Sequence, residues 1–156
     1  MRIREAVRGL IIDPKLRVLL VAFDFPDGVV WALPGGGIQE GESAEAALER
    51  ELLEEVGLET TVSDGPIWRR THVFPFIDGS YDGQSEVIYL LHTTEFEIRP
   101  RLTDEQLKAE YMVASRWWTI EELMGSEALF SPRKLPRLVA ALLEEGPPAV
   151  VVDVGV

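Results

Sequence analysis

Residues Gly35 to Leu58, GGGIQEGESAEAALERELLEEVGL, decide how the rest of this chain is interpreted. The segment opens with three glycines and continues as a helix-forming stretch that carries Glu51, Glu54 and Glu55. Their i, i+3 and i+4 spacing places the three carboxylates on adjoining positions of one helical surface. Like charges at this spacing repel, whereas a hard cation such as Mg2+, Mn2+ or Ca2+ would attract all three. The segment predicts an oxygen-ligated metal site on a helix beside a glycine loop, with a solvated acidic face as the alternative.

The glycines favour the metal prediction over the solvated face. A glycine loop next to acids indicates a phosphate that is held by backbone N–H groups and by metal at once. Gly35, Gly36 and Gly37 would let the backbone approach phosphate oxygens, and a carbonyl group in this loop could also ligate a metal ion. We therefore treat these three glycines as candidate substrate-binding residues.

The same stretch resembles the signature of the Nudix hydrolases. The chain matches every fixed position of that signature, with Gly36, Glu42, Arg50, Glu51, Leu52, Glu54, Glu55, Gly57 and Leu58. The resemblance implies an α/β (α+β) fold, an α/β/α sandwich with a mixed β-sheet. It also implies hydrolysis of a phosphoanhydride bond in a nucleoside diphosphate linked to another moiety, with Mg2+ or Mn2+. The alternative is a Nudix-fold nucleotide-binding or regulatory module without activity, but such domains usually lose signature residues.

The resemblance and the metal argument together suggest roles for the charged residues of the signature. Glu51 and Glu55 are the expected metal ligands, and Glu54 is expected to be a ligand or the catalytic base. The resemblance implies that Arg50 orients a catalytic carboxylate. Glu42 is expected to be structural or an outer ligand.

Many relatives carry a further acid in the loop before the strand that ends this fold. Glu110 is the first candidate for such a remote base and Glu105 is the second, with a solvated loop carboxylate as the alternative for each. Which carboxylate accepts the proton of water varies within the family and stays open.

Substrate selection must come from residues outside the signature. Arg69 or Arg70 could hold a phosphate group. Five aromatic side chains could stack on a base, although aromatic residues more often fill cores: Trp68, Phe74, Phe76, Tyr81 and Trp118.

Composition limits the partners of the chain. Its 156 residues suit one domain, and its net charge of −12 would repel a nucleic acid backbone. The predicted partner is therefore a small nucleotide diphosphate derivative, whose own charge requires a bound cation or a local arginine or lysine. The chain has no cysteine, which excludes disulfides and fits a cytoplasmic location. No apolar run approaches the roughly 18 residues that a membrane span needs.

Periodicity and turn residues predict the remaining elements. Strands are expected at 3–12, 17–25, 29–31, most of 60–76, 86–93 and up to Trp118. Helices are expected between Ser43 and Gly57, from Thr119, and at 132–145, with 98–112 as a polar connector. We divide the chain into a domain at 1–145 and a tail at 146–156, which packs on its own domain or pairs with a neighbouring chain in a homodimer.

Overall fold

The computed structural model describes all 156 residues as nine strands and four helices. The strands are β1 (Ile3–Ile12), β2 (Val18–Phe25), β3 (Gly28–Ala32), β4 (Gly35–Gly37), β5 (Trp68–Val73), β6 (Gly83–His92), β7 (Met112–Trp118), β8 (Leu129–Ser131) and β9 (Val152–Asp153). The helices are α1 (Ala44–Val56), α2 (Asp104–Ala109), α3 (Ile120–Gly125) and α4 (Leu135–Glu145). None of these helices combines the length and the apolar character that crossing a membrane requires.

All nine strands belong to one mixed sheet with β1 at its centre. The strand order is β8-β3-β2-β1-β6-β5-β9, and β1 runs parallel to β6 over its whole length. On its other side, β1 pairs with β2 at Ile12 and with β4 further back, where Val7 lies opposite Gly36. The glycine stretch is therefore held against the middle of the sheet and cannot move as a free loop.

Two buried apolar clusters lie on the two sides of the sheet. Alternate residues of β1 supply both, because successive side chains of a strand point to opposite faces. Val7 and Ile11 pack in one cluster with Leu48 of α1. Leu10 packs in the other cluster with Leu135 of α4. This arrangement confirms the predicted mixed sheet between helices.

Both predicted ends of α1 are confirmed. The Ser43 side chain accepts a hydrogen bond from the Ala46 N–H at 3.1 Å, and Gly57 ends the helix in the left-handed conformation with φ of 74°. The apolar residues that recur at every fourth position of α1 are fully buried: Leu48, Leu52 and Val56.

The expectation of a strand over most of 60–76 is wrong. Only β5 is extended in a ladder, and the stretch before it is irregular. The Val62 N–H donates to the Glu49 carboxylate of α1 at 2.9 Å, so a helix side chain takes the place of a neighbouring strand. β5 pairs antiparallel with β6.

The connector at 98–112 contains the short helix α2, which we did not predict. A capping box starts it, with the Thr103 and Gln106 side chains each bonded to the other residue's backbone N–H. The last helix begins at Leu135, three residues later than predicted from Pro132.

The tail contacts its own domain. Its strand β9 pairs in parallel with β5, and Val154 is buried in the core cluster that α4 covers. The Gly155 carbonyl also accepts a hydrogen bond from Arg70 Nε at 3.2 Å.

Candidate active site

The glycine stretch forms the strand β4, not the loop expected from the sequence, and two acids of α1 lie against it. The Gly35 N–H donates to Glu55 Oε1 at 2.8 Å. A Cβ atom at Gly36 would come within 2.6 Å of Glu51 Oε1, so only glycine leaves room for that carboxylate. Because the glycines of β4 have no side chains, two carboxylates can pack directly on its backbone.

Burial makes these two acids electrostatically unusual. Glu55 is 1% exposed and Glu51 is 8% exposed. Burial raises the pKa of Glu55 to about 8, and the charge of Glu51 adds to this while Arg8 opposes it. Burial likewise raises the pKa of Glu51, against the hydrogen bond from Arg50. Neighbouring buried carboxylates are unfavourable unless a positive charge offsets them.

Arg50 bonds two carboxylates of α1 and the carboxylate of Glu42, which lies just before the helix. Its Nη1 donates to Glu51 Oε1 at 3.0 Å and to Glu54 Oε2 at 3.4 Å. Its Nε and Nη2 donate to Glu42 at 2.8 and 2.9 Å, and Nη2 also donates to the Gly37 carbonyl at 3.1 Å. The hydrogen bonds from Arg50 hold the pKa of Glu42 at about 2. Arg50 thus fixes the positions of Glu42, Glu51 and Glu54, and its bond to the Gly37 carbonyl connects them to β4.

The chemistry of the donor set fits a hard divalent cation. In this structure no three acidic or histidine side chains converge on one point that could hold an ion, since Arg50 bonds Glu51 and Glu54 while Glu55 bonds Gly35. The available donors are nevertheless all oxygens, from three carboxylates of one helix and the nearby Gly37 carbonyl. Mg2+ and Mn2+ prefer such oxygen ligands.

A cleft of about 470 Å³ brings Glu110 together with the acids of α1. Glu110 is the residue that ends α2, and it lines the cleft with Glu51 and Glu54. Its charge contributes to the raised pKa of Glu51 and Glu55. The other candidate, Glu105, is exposed on α2 and does not line this cleft.

The family model for the NUDIX domain matches residues 2–139. The chain belongs to the Nudix hydrolase family. The RNA pyrophosphohydrolase of Wolbachia pipientis subsp. Culex pipiens is 27% identical over 140 residues, which cover 84% of each chain. The nucleoside triphosphatase NudI of Escherichia coli is 30% identical over 117 residues, which cover 72% of this chain and 77% of that protein. The MutT protein from Methanosarcina mazei Go1 has a similar structure, with a TM-score of 0.71 at 17% identity over 92% of this chain and 97% of that chain.

Neither arginine predicted to hold a phosphate lines the cleft of this Nudix domain. Arg70 is buried, and its Nη1 donates to Glu86 Oε1 at 2.8 Å and to Ser131 Oγ at 2.9 Å. It shares the inward face of β5 with Trp68, because the two are separated by one residue. The expected phosphate-binding role of Arg70 is therefore corrected to a buried ion pair, and Arg69 is exposed on the opposite face.

The five aromatic candidates divide into core residues and cleft residues. Trp68 and Trp118 are buried in the core cluster under α4, so their role is packing. Tyr81 lines the cleft. Its ring centroid lies 5.3 Å from that of Phe76, which in turn lies 5.3 Å from that of Phe74.

Sequence reasoning missed three charged residues on the strands beneath the Nudix signature. Arg4 lines the cleft, and Arg8 Nε donates to the buried Glu86 Oε2 at 2.9 Å. A signal for them was present in β1. Both arginines lie an even number of residues from the buried Leu10 and Ile12, so their side chains are on the same face of the strand. A charged residue on the core face of a strand indicates a buried polar site.

Proposed function

We propose that this Nudix pyrophosphohydrolase hydrolyses a phosphoanhydride bond in a nucleoside diphosphate linked to another moiety, with Mg2+ or Mn2+ as its metal. The observation that carries the proposal is the packing of Glu51 and Glu55 against the backbone of β4, beside a cleft. Two adjacent buried carboxylates destabilise a fold unless another charge offsets them. A divalent cation at the cleft would supply that charge.

The residues of the chain then have separate tasks. Glu51 and Glu55 hold the metal, and Arg50 keeps Glu51 and Glu54 in place through Nη1. When bound there, Mg2+ or Mn2+ would offset the charge of the diphosphate and lower the pKa of a water molecule. The backbone of β4 would contact phosphate oxygens, which three residues without side chains permit.

Two carboxylates are candidates for the base that accepts a proton from water. Glu54 lies at the exposed side of α1, with about a third of its side chain accessible, and Glu110 lines the same cleft from the end of α2. Both can reach water in the cleft, whereas Glu55 is enclosed. We assign the role to one of these two, and substitution separates them.

The relatives act on different nucleotides, since one is named for RNA and the other for nucleoside triphosphates. Both activities split a phosphoanhydride bond, which supports the reaction class proposed here. The net charge of −12 supports a small substrate over a polymer, because a long nucleic acid would be repelled along its length.

A substrate screen tests the proposal. Nucleotide sugars, ADP-ribose, dinucleoside polyphosphates, nucleoside and deoxynucleoside triphosphates, and a 5′-triphosphorylated RNA oligonucleotide are each incubated with Mg2+ or Mn2+. Release of monophosphate, phosphate or pyrophosphate is measured. Turnover of a small nucleotide supports the proposal, and turnover of the RNA alone would replace its substrate class. Binding without any turnover would favour the inactive nucleotide-binding or regulatory module.

Three variants test the assigned residues against a matched control. Glu54→Gln and Glu55→Gln should each lower kcat by about 100-fold or more, the range expected when a base or a metal ligand is lost. Glu59→Gln is the control, because Glu59 is an exposed acid that pairs with Arg101 on the surface. Retention of activity within about twofold of the wild type by either signature variant would reject its role. A loss of similar size in Glu110→Gln, but not in Glu54→Gln, would assign the base to Glu110.

A further inference from the structure

The cleft contains two cationic side chains, and only one of them has free hydrogen-bond donors. Arg50 is fully engaged, because it donates to Glu42, Glu51, Glu54 and the Gly37 carbonyl. Arg4 makes a single side-chain hydrogen bond, a long one of 3.4 Å from Nη1 to Gln84 Oε1, and no ion pair. A guanidinium offers five N–H donors, so most of those of Arg4 are available to a ligand.

Arg4 is half-buried at a position that faces the signature. A Cβ atom at Gly37 would overlap its guanidinium, and its Cζ lies 5.8 Å from the centre of the Phe76 ring. Burial lowers the pKa of Arg4, and the nearby Arg8 lowers it further, but an arginine stays protonated at neutral pH. Burying a cation with so few partners is unfavourable unless an anion completes its bonding.

The aromatic residue that lines this cleft is Tyr81. It is 37% exposed, while its ring rests against Phe76. The loop that carries Tyr81 is tied to the start of β1, because the backbone N–H of Arg2 donates to Asp82 Oδ2 at 2.7 Å. Arg4 and Tyr81 both lie against Phe76 and line the same cleft, which Glu110 also lines.

We infer that Arg4 and Tyr81 form a nucleotide-recognition subsite, in which Arg4 binds phosphate oxygens and the Tyr81 ring packs on the nucleobase. This inference rests on the proposed function, since it takes the cleft to bind a nucleoside diphosphate. An acidic protein needs local positive charge to bind an anion, and Arg4 is the only cationic side chain of the cleft with free donors to add to the charge of a metal ion. Because stacking on an aromatic ring accepts any base, the subsite selects for a nucleotide and tolerates several bases.

Binding of two non-hydrolysable probes separates the two roles. The probes are methylenediphosphonate and adenosine 5′-(α,β-methylene)diphosphate, each titrated by calorimetry in the presence of Mn2+. R4Q should weaken the binding of both probes by about tenfold or more, because a charge-assisted hydrogen bond is lost, and R4K should lie between R4Q and the wild type. Y81A should weaken the binding of the nucleotide alone by about fivefold or more, because only the nucleotide has a base to stack.

Matched controls keep these comparisons specific. Y81F retains the ring, and R99Q removes an exposed arginine that pairs with Glu97, so both should bind each probe within about twofold of the wild type. G37A should reproduce the weakening seen in R4Q, since a methyl group there displaces the guanidinium. G37A and R4K carry the test if R4Q does not fold.

Wild-type affinity in R4Q for both probes overturns the role of Arg4, and equal losses in Y81A for both probes overturn the role of Tyr81. Hydrolysis of a nucleotide by the wild type with an unchanged KM in R4Q and Y81A overturns the subsite alone and leaves the proposed function intact. A wild-type protein that neither binds a probe nor hydrolyses a nucleotide overturns both.

Discussion

Replacing Glu86 by a neutral residue should destabilise the fold more than the same change at most other charged residues of the sheet. Its carboxylate is buried between Arg8 Nε, at 2.9 Å, and Arg70 Nη1, at 2.8 Å. Gln84 Nε2 donates to it as well, at 2.9 Å. Glu86→Gln keeps the shape of the side chain but leaves two arginines in the interior without their shared counter-ion.

The expected loss of stability follows from the pKa of Glu86. Burial alone would raise this pKa, but Arg8 and Arg70 outweigh burial and hold it at about 2, below its ordinary 4.5. That difference corresponds to about 3 kcal/mol of stabilisation, close to the roughly 3–5 kcal/mol lost when a buried ion pair is broken. Because the pKa is lowered in the folded state, the stabilisation is complete above pH 4.5 and is lost as pH falls towards 2. At pH 4, which lies below the ordinary pKa of the group, part of the stabilisation should already be lost.

Urea denaturation at pH 7 and pH 4 measures both parts of this prediction. At pH 7 the free energy of unfolding of Glu86→Gln should be about 3 kcal/mol below that of the wild type. This gap between the two free energies should be smaller at pH 4. Glu59→Gln is the control, because Glu59 is 77% exposed in its side chain and its ion pair should contribute less than about 1 kcal/mol. A loss below about 1 kcal/mol at pH 7, or a gap that widens at pH 4, would refute the reasoning.

Three further substitutions have expected outcomes. Gly36→Ala should displace the Glu51 carboxylate and lower kcat by about tenfold or more, with an unchanged circular dichroism spectrum. Gly57→Ala should destabilise the fold by more than about 2 kcal/mol in urea, because Gly57 is left-handed and its new methyl group would overlap the Arg99 carbonyl. Removal of residues 147–156 should lower the Tm measured by calorimetry, because β9 and a buried valine are lost from the sheet.

Elements with local signals were predictable from the sequence. The limits of α1 follow from Ser43 and Gly57, whose caps need no distant partner. The capping box of α2 was equally visible, as Thr103 followed three residues later by Gln106, but its helix of six residues has too short an apolar pattern to stand out. The false strand before β5 arose because alternation alone does not say whether a partner strand exists, and α1 supplies the partner instead.

The site was predictable where the chain itself sets the spacing. Glu51, Glu54 and Glu55 lie on one helix, so their proximity follows from its geometry. Arg8 and Glu86 are 78 residues apart in the sequence, and no local pattern predicts that they pair. Arg70 illustrates the same limit, since one sequence cannot say which face of β5 is covered. Distant pairs of this kind decide which cations are free for a ligand and which are neutralised.

The three glycines of β4 each make room for a different neighbour, and this links the fold to the site. At Gly35 a Cβ atom would overlap the carbonyl of Val7, so this glycine permits the pairing of β4 with β1. At Gly36 the space is taken by the Glu51 carboxylate, and at Gly37 by the guanidinium of Arg4. The close approaches are to rigid backbone in the first case and to the ends of flexible side chains in the other two. A methyl group at Gly35 should therefore destabilise the sheet, whereas methyl groups at Gly36 and Gly37 should leave the fold intact and disturb the acid and the cation separately.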